Sequence, residues 1–235
     1  MAPTAPSRAV VISPPRDHPP AHTTGSTVLS AKNDHGLERM TFFSDAVIAI
    51  MLTLLAIELP VPEVDSPAAL WHGLAEHSDE YTAFLISFCV IAATWVAHHM
   101  LFIHVRRADP ALVTLNLLSL LAYVLIPWAS KTLGEVDNGA GVIVYSAAMT
   151  FLGLTMLLVA RQAVRAKLID PEAPRGVING IRAWAAMTTA MFAVSIPLAL
   201  ILGRHTMWVW PVGYVGLRLA AEFYTRRARR KGAAE

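Results

Sequence analysis

Cysteine is nearly absent from this chain: Cys89 is the only one in 235 residues. A lone thiol inside an apolar run closes no intrachain disulfide and has no cysteine partner for a zinc site, so it reads as a small packed side chain. Charge is scarce as well, at 15% of residues, and the net value of +2 gives no reason to expect a nucleic-acid partner. No P-loop, no HExxH and no GxSxG nucleophile elbow occurs. The first 36 residues hold six prolines and no apolar run longer than Ala9-Val10-Val11-Ile12, which is too short for a secretion signal. They read as a disordered tail. No internal repeat is evident. A disulfide scaffold is excluded, and no motif points to an enzyme or a cofactor.

What the chain does have is apolar length. Hydrophobic residues make up 55% and the mean hydropathy is +0.49, which belongs to integral membrane proteins. A helix needs roughly 20 apolar residues to cross a bilayer. Six segments qualify, at 40–59, 81–105, 111–130, 140–160, 183–203 and 206–224. The sixth is interrupted by Arg218 and Glu222, four apart and able to pair. Residues 66–80 are too short and polar to span, and read as an interfacial helix. No room remains for a soluble catalytic domain. The expected class is all-α, with a six-helix membrane domain over 37–225 between a tail at 1–36 and a basic tail at 226–235.

The basic residues alternate between loops. The segment through Arg39 carries four, the 106–110 turn two, the 161–182 loop five and the end from Arg218 six; the remaining loops hold only Lys131 and Arg204. The positive-inside rule then places both termini in the cytoplasm and leaves an acidic outer face.

Polar residues inside the spans are the candidate site. Asp45 lies roughly 9 Å along the first span from Arg39, taking a rise of 1.5 Å per residue. His98 and His99 in the second span and Asn116 in the third fall at about the same level, within some 2 Å. Trp95, His98, His99 and Phe102 share one helix face by their spacing. Unpaired polar groups in hydrocarbon are costly, so Asp45, Trp95, Asn116 and one of the two histidines are expected to close a hydrogen-bond network. That network reads as a bracket fixing helix packing. Two sharper readings stand beside it: a proton relay through Asp45 and His98/His99, and a metal site prompted by His98-His99-x4-His104, for which no further histidine or carboxylate box exists. Ile50, Leu54 and Ile57 form an apolar stripe, with Asp45 about 140° around the helix from Ile50. Packing alone would account for such a stripe. Val212-Gly213-Tyr214-Val215-Gly216 looks like a potassium-channel filter but has no span left to follow it, so an ordinary helix is expected there. Gly176-x3-Gly180, which could allow close helix contact, sits at a loop–helix junction and is a weak signal.

Arg39-x3-Phe43-Ser44-Asp45, followed by Ala-Val-Ile-Ala-Ile and closed by Pro60, resembles the R-x3-F-S-D signature of the transmembrane protein 175 family. These are the lysosomal potassium channel and its prokaryotic relatives. Ser87-Phe88, Trp95, His98-His99 and Phe102, and then Asn116 running to Pro127, resemble the bacterial branch. The resemblance is specific over about residues 39–133. It implies a homotetramer whose pore is lined by the first helix, with Ile50 as the narrowest ring and Leu54 and Ile57 continuing that face. Thr53 would offer a hydroxyl near the ring, and Glu58 at the outer mouth would concentrate cations. Arg39, Phe43, Ser44 and Asp45 would belong to the interhelical network. The implied function is a potassium-permeable channel of the bacterial inner membrane, with K⁺, lipid and further copies of itself as partners. The alternative is a proton-coupled transporter relaying through Asp45 and His98/His99.

Overall fold

The structure is a computed structural model that describes residues 24–214 apart from Val64 and Asp137; for 24–34 and for Ala68 it describes the backbone alone. Six α-helices follow in order: α1 (Thr24–Ile57), α2 (Pro67–Glu76), α3 (Ser78–Phe102), α4 (Pro110–Glu135), α5 (Gly139–Arg165) and α6 (Arg175–Leu202). A 3-10 turn over Gly203–Trp208 leads into a further helical stretch at 209–214. Five of these helical segments are long and apolar enough to cross a membrane. Residues 215–224, most of the sixth expected span, and the basic tail lie outside the described residues.

Local chemistry sets the boundaries. Asp109 caps α4 by accepting the Leu112 amide at 2.7 Å, with Pro110 at the first helical position. Asn138 and Ser66 do the same for α5 and α2, accepting from Ala140 and Ala69. α1 begins at Thr24, so residues 24–36, expected to be disordered, are helical. The reason is in the proline placement: all six of the early prolines lie at or before residue 20, and nothing after them prevents a helix.

α5 is the centre of the bundle, packed on α4 and α6, while α1 lies against α3 and α4. The main core joins Ile48, Met51 and Leu55 of α1 to Val90, Ile91, Tyr123, Ile126, Tyr145 and Phe192. A smaller core gathers Leu101, Phe102, Leu112, Val159 and Ile181 near one end. α5 and α6 come close where Gly153 meets Thr189, and a Cβ on Gly153 would collide with that side chain.

Each end of the bundle has its own polar fastening. At the basic end the α3–α4 and α5–α6 connections pair: Arg106 N–H donates to the Leu168 carbonyl and Asp170 N–H to His104. Arg106 and Asp170 add an ion pair at 2.7 Å. The Glu172 amide, together with Arg106, holds the Asp170 carboxyl below the usual carboxylate range. At the acidic end Lys131 binds Glu58 at 2.8 Å, Arg204 binds Asp79 at 2.6 Å, and Tyr81 donates to the Pro60 carbonyl at 2.8 Å. The two isolated cations of the acidic side are therefore both ion-paired.

The chain reverses after α6. Gly203 has φ +58°, a conformation side chains rarely adopt. Beyond it, Trp210 donates to Ser195 Oγ at 2.9 Å and packs with Tyr145 and Phe192. Residues fifteen apart touch only if the second helical stretch runs back along the first.

Replacing Gly153 with Val forces α5 and α6 apart where Gly153 meets Thr189. We expect a loss of about 1–3 kcal/mol, read as a lower melting temperature in detergent, with the helical circular-dichroism signal retained at low temperature.

Candidate functional site

Three helices meet at one level through hydrogen bonds. α3 supplies Trp95, whose Nε1–H donates to Asp45 Oδ1 of α1 at 2.9 Å. His98 Nε2 lies 2.9 Å from Asn116 Oδ1 of α4, and Asn116 Nδ2 donates to Ser44 Oγ of α1 at 2.8 Å. Ser44 passes its own proton to the Met40 carbonyl at 2.9 Å. The donors therefore run in one direction, from His98 through Asn116 and Ser44 to the α1 backbone. That order assigns His98 the Nε2–H tautomer, because Asn116 presents its carbonyl oxygen there and Ser44 has no second proton to give. Ser44, His98 and Asn116 are fully buried.

Asp45 meets Trp95, and neither histidine hydrogen-bonds to it among the described contacts. His99 stacks on the Trp95 ring at 5.4 Å, and His98 stacks on Phe102 at 4.4 Å. The Nδ1 atoms of both histidines are buried and have no partner. Among the described residues no group of three His, Cys, Asp or Glu side chains converges on a metal-sized site.

The face of α1 opposite this bracket is bare. Phe42, Ala46, Ala49, Ile50, Thr53, Ala56 and Ile57 are exposed, while Ser44, Ile48, Met51 and Leu55 are buried. At 100° per residue the exposed positions fall within a sector of roughly 140°, and the buried ones centre about 180° from it. Ile50 is 53% exposed and Ile57 74%, whereas Leu54 is half-buried against the main core. The stripe expected from spacing thus divides. The bare sector extends from Ile50 toward Thr53, and Leu54 lies about 40° to the other side, toward the helix contacts.

Thr53 donates to the Ile50 carbonyl at 2.7 Å, which leaves its oxygen lone pairs directed outward. Arg39 and Phe43 are exposed and take part in none of the bracket's described hydrogen bonds; both fall within about 20° of Ile50 around the helix. Glu58, expected at the outer mouth, is ion-paired with Lys131 at 2.8 Å.

Sequence reasoning missed a second polar cluster on the acidic side of the first. Ser87 Oγ donates to the Ala83 carbonyl at 2.7 Å, and the hydroxyls of Ser130 and Tyr145 lie 2.8 and 3.1 Å from it, placed to donate. Serine and tyrosine are common enough in apolar helices that only depth matching between spans could have found it.

A multi-pass helical membrane protein with a motif-bearing first helix bracketed by its neighbours is the class that fold and site define. The sequence profile of the endosomal/lysosomal potassium channel TMEM175 family matches residues 39–127. A protein of Streptomyces collinus named a potassium channel is 34% identical over 175 residues, covering 72% of this chain and 85% of that one. The bovine protein named endosomal/lysosomal proton channel TMEM175 is 34% identical over 121 residues, which cover 48% of this chain but 25% of the bovine one. The crystal structure of a lysosomal potassium-selective channel TMEM175 homolog from Chamaesiphon minutus superposes with a TM-score of 0.65 at 26% identity, covering 82% of this chain and 98% of that one. The chain belongs to the TMEM175 family.

Asn116 is the residue on which the bracket closes, since it serves both His98 and Ser44. Asn116→Leu keeps the volume close but orphans the buried His98 Nε2–H. We expect a loss of about 1–3 kcal/mol, measured as thermal stability in detergent, and a smaller loss for Ser119→Ala, whose hydroxyl bonds only within α4.

Proposed function

We propose that the chain forms a potassium-permeable cation channel, assembled as a homotetramer with four copies of α1 around the pore. The observation that carries this reading is the bare sector of α1. Of the five candidate spans α1 is the least covered, with 22% of its most apolar window buried against 33–56% for the others. Its covered side is pinned by polar bonds, and from Phe42 to Ile57 its bare side is apolar with one hydroxyl. Ile50 forms the narrowest ring, with Ile57 and Thr53 beside it on the same sector and Leu54 at its edge. A tight apolar ring opposes water and makes an ion shed its shell.

The same reading places the protein in a bacterial inner membrane with both termini in the cytoplasm, because the α3–α4 and α5–α6 connections are basic. The turn at Gly203 leads toward the sixth span expected at 206–224, of which residues 215–224 lie outside the described residues. Support for K⁺ as the permeant ion comes from the names of the bacterial relatives and from the family itself.

The test is flux from liposomes holding the purified protein. K⁺ should pass down its gradient, with Na⁺ slower. Ile50→Asn puts amides in place of apolar walls, so conductance should rise and K⁺/Na⁺ discrimination should shrink. Leu54→Asn should act more weakly, and Leu52→Asn, packed against the core, should cost stability without raising flux. Unchanged flux in an intact Ile50→Asn tetramer would place the pore elsewhere.

A second reading, a proton-coupled transporter, is favoured by one observation: the partnerless Nδ1 atoms of His98 and His99 beside Asp45. Asp45→Asn separates the two. An amide oxygen still accepts from Trp95, so the helix contact survives. Under the channel reading K⁺ flux should persist and ignore an imposed proton gradient; under the transporter reading proton-driven flux should vanish.

A further inference from the structure

Among the described residues, four arginines at the basic end have no carboxylate partner. Arg161 and Arg165 lie on the last turns of α5, Arg175 and Arg182 on the first turns of α6, and all four are exposed. The described ion pairs include none of them. Nearby carboxylates are engaged elsewhere: Asp170 by Arg106, and Asp109 by the α4 amide and by Gln162 Nε2 at 2.8 Å. Glu172 is exposed and forms no ion pair.

Their heights follow from the packing of the two helices. Gly153 meets Thr189 across the α5–α6 contact. From that point Arg161 is about 12 Å along α5, and Arg182 about 10.5 Å back along α6. The two therefore stand level within about 1.5 Å, where the apolar part of both helices ends. Arg165 and Arg175 fall about 18 and 21 Å from the same contact, which makes a second tier below the first. Leu154 and Leu158 continue the exposed α5 face above Arg161, and Ala186 and Ala190 the α6 face above Arg182. Two tiers of guanidinium thus stand directly beneath an exposed apolar surface.

We propose that this ladder is a binding site for the headgroup of an anionic phospholipid. The phosphodiester is held between Arg161 and Arg182, and the lower pair faces the outer part of the headgroup. Guanidinium forks match phosphate oxygens two at a time, and basic groups at a membrane surface attract anionic lipid. The ion-paired α3–α4 and α5–α6 connections hold the two helix ends together, so the tiers are fixed before lipid arrives. The inference rests on the apolar helices crossing a bilayer and not on what the protein conducts, so a failed flux experiment leaves it standing.

The test is thermal stabilisation of the purified full-length protein in detergent, titrated with phosphatidylglycerol or with phosphatidylcholine. Phosphatidylglycerol should stabilise at lower concentration. In the Arg161→Gln/Arg182→Gln variant its half-saturating concentration should rise roughly tenfold or more. Arg161→Lys/Arg182→Lys should keep most of the effect, and it serves as the folding control if the glutamine pair aggregates. Arg107→Gln removes an exposed charge from the same end and should change little. An equal loss in Arg107→Gln, or none in the Arg161/Arg182 pair, would overturn the site in favour of diffuse attraction. Equal stabilisation by glycerol phosphate at the same concentration would overturn the lipid assignment in favour of a free phosphate ester.

Discussion

A side-chain dipole in hydrocarbon has no water to turn to, and the bundle around α1 is built on that constraint. Ser44 and Asp45 are on the first helix, and each is tied to a residue of another helix, Asn116 of α4 and Trp95 of α3. Separating α1 would leave an amide, an indole N–H and a carboxylate unpaired at once, each costing on the order of a kcal/mol or more. Apolar contacts with Ile48, Met51 and Leu55 reinforce this attachment but do not fix its rotation. The hydrogen bonds do, because only one rotation of α1 aligns Ser44 and Asp45 with both partners. The bare sector then points away from the bundle as a consequence of the polar bracket.

The constraint also explains where the charged residues went. Lys131 and Arg204, the isolated cations of the acidic end, are each matched to a carboxylate, whereas the described residues of the basic end include exposed arginines that join no ion pair. That asymmetry has two physical outcomes. The acidic end is tied together by internal ion pairs, and the basic end relies on backbone pairing between two connections with a single ion pair across them. The surplus there is left for a bilayer surface.

Much of this was legible in the sequence because membrane helices have few degrees of freedom. Length and hydropathy pointed to α1, α3, α4, α5 and α6, the five described helical segments long and apolar enough to cross a membrane, since a rise of about 1.5 Å per residue against a fixed slab leaves little choice. The same arithmetic placed Asp45, His98 and Asn116 at one level. What depth could not decide was partner choice. Trp95 is a turn above His99 on the same face, and the indole reaches Asp45 while His99 lies flat against it. Nor could periodicity decide the exact orientation of the stripe: Leu54 and Thr53 are neighbours in sequence on either side of Ile50, and only packing against α3 and α4 shows that the bare sector extends toward Thr53. The break expected between 203 and 206 falls where the chain reverses at Gly203. The pairing of Glu58 with Lys131 was not, because it joins residues 73 apart.

That last pairing gives α1 a mechanical character. The helix is held by the Asp45–Trp95 and Ser44–Asn116 bonds near its middle and by the Glu58–Lys131 ion pair at its acidic end. Between these two fastenings Ile48, Met51 and Leu55 are sunk in the main core, so α1 is braced along one side for its whole length between them. The two fastenings differ in kind: the mid-helix bonds are sheltered, whereas the Glu58–Lys131 pair is exposed. Rising ionic strength therefore weakens the hold on the acidic end of α1 and leaves the mid-helix bonds in place.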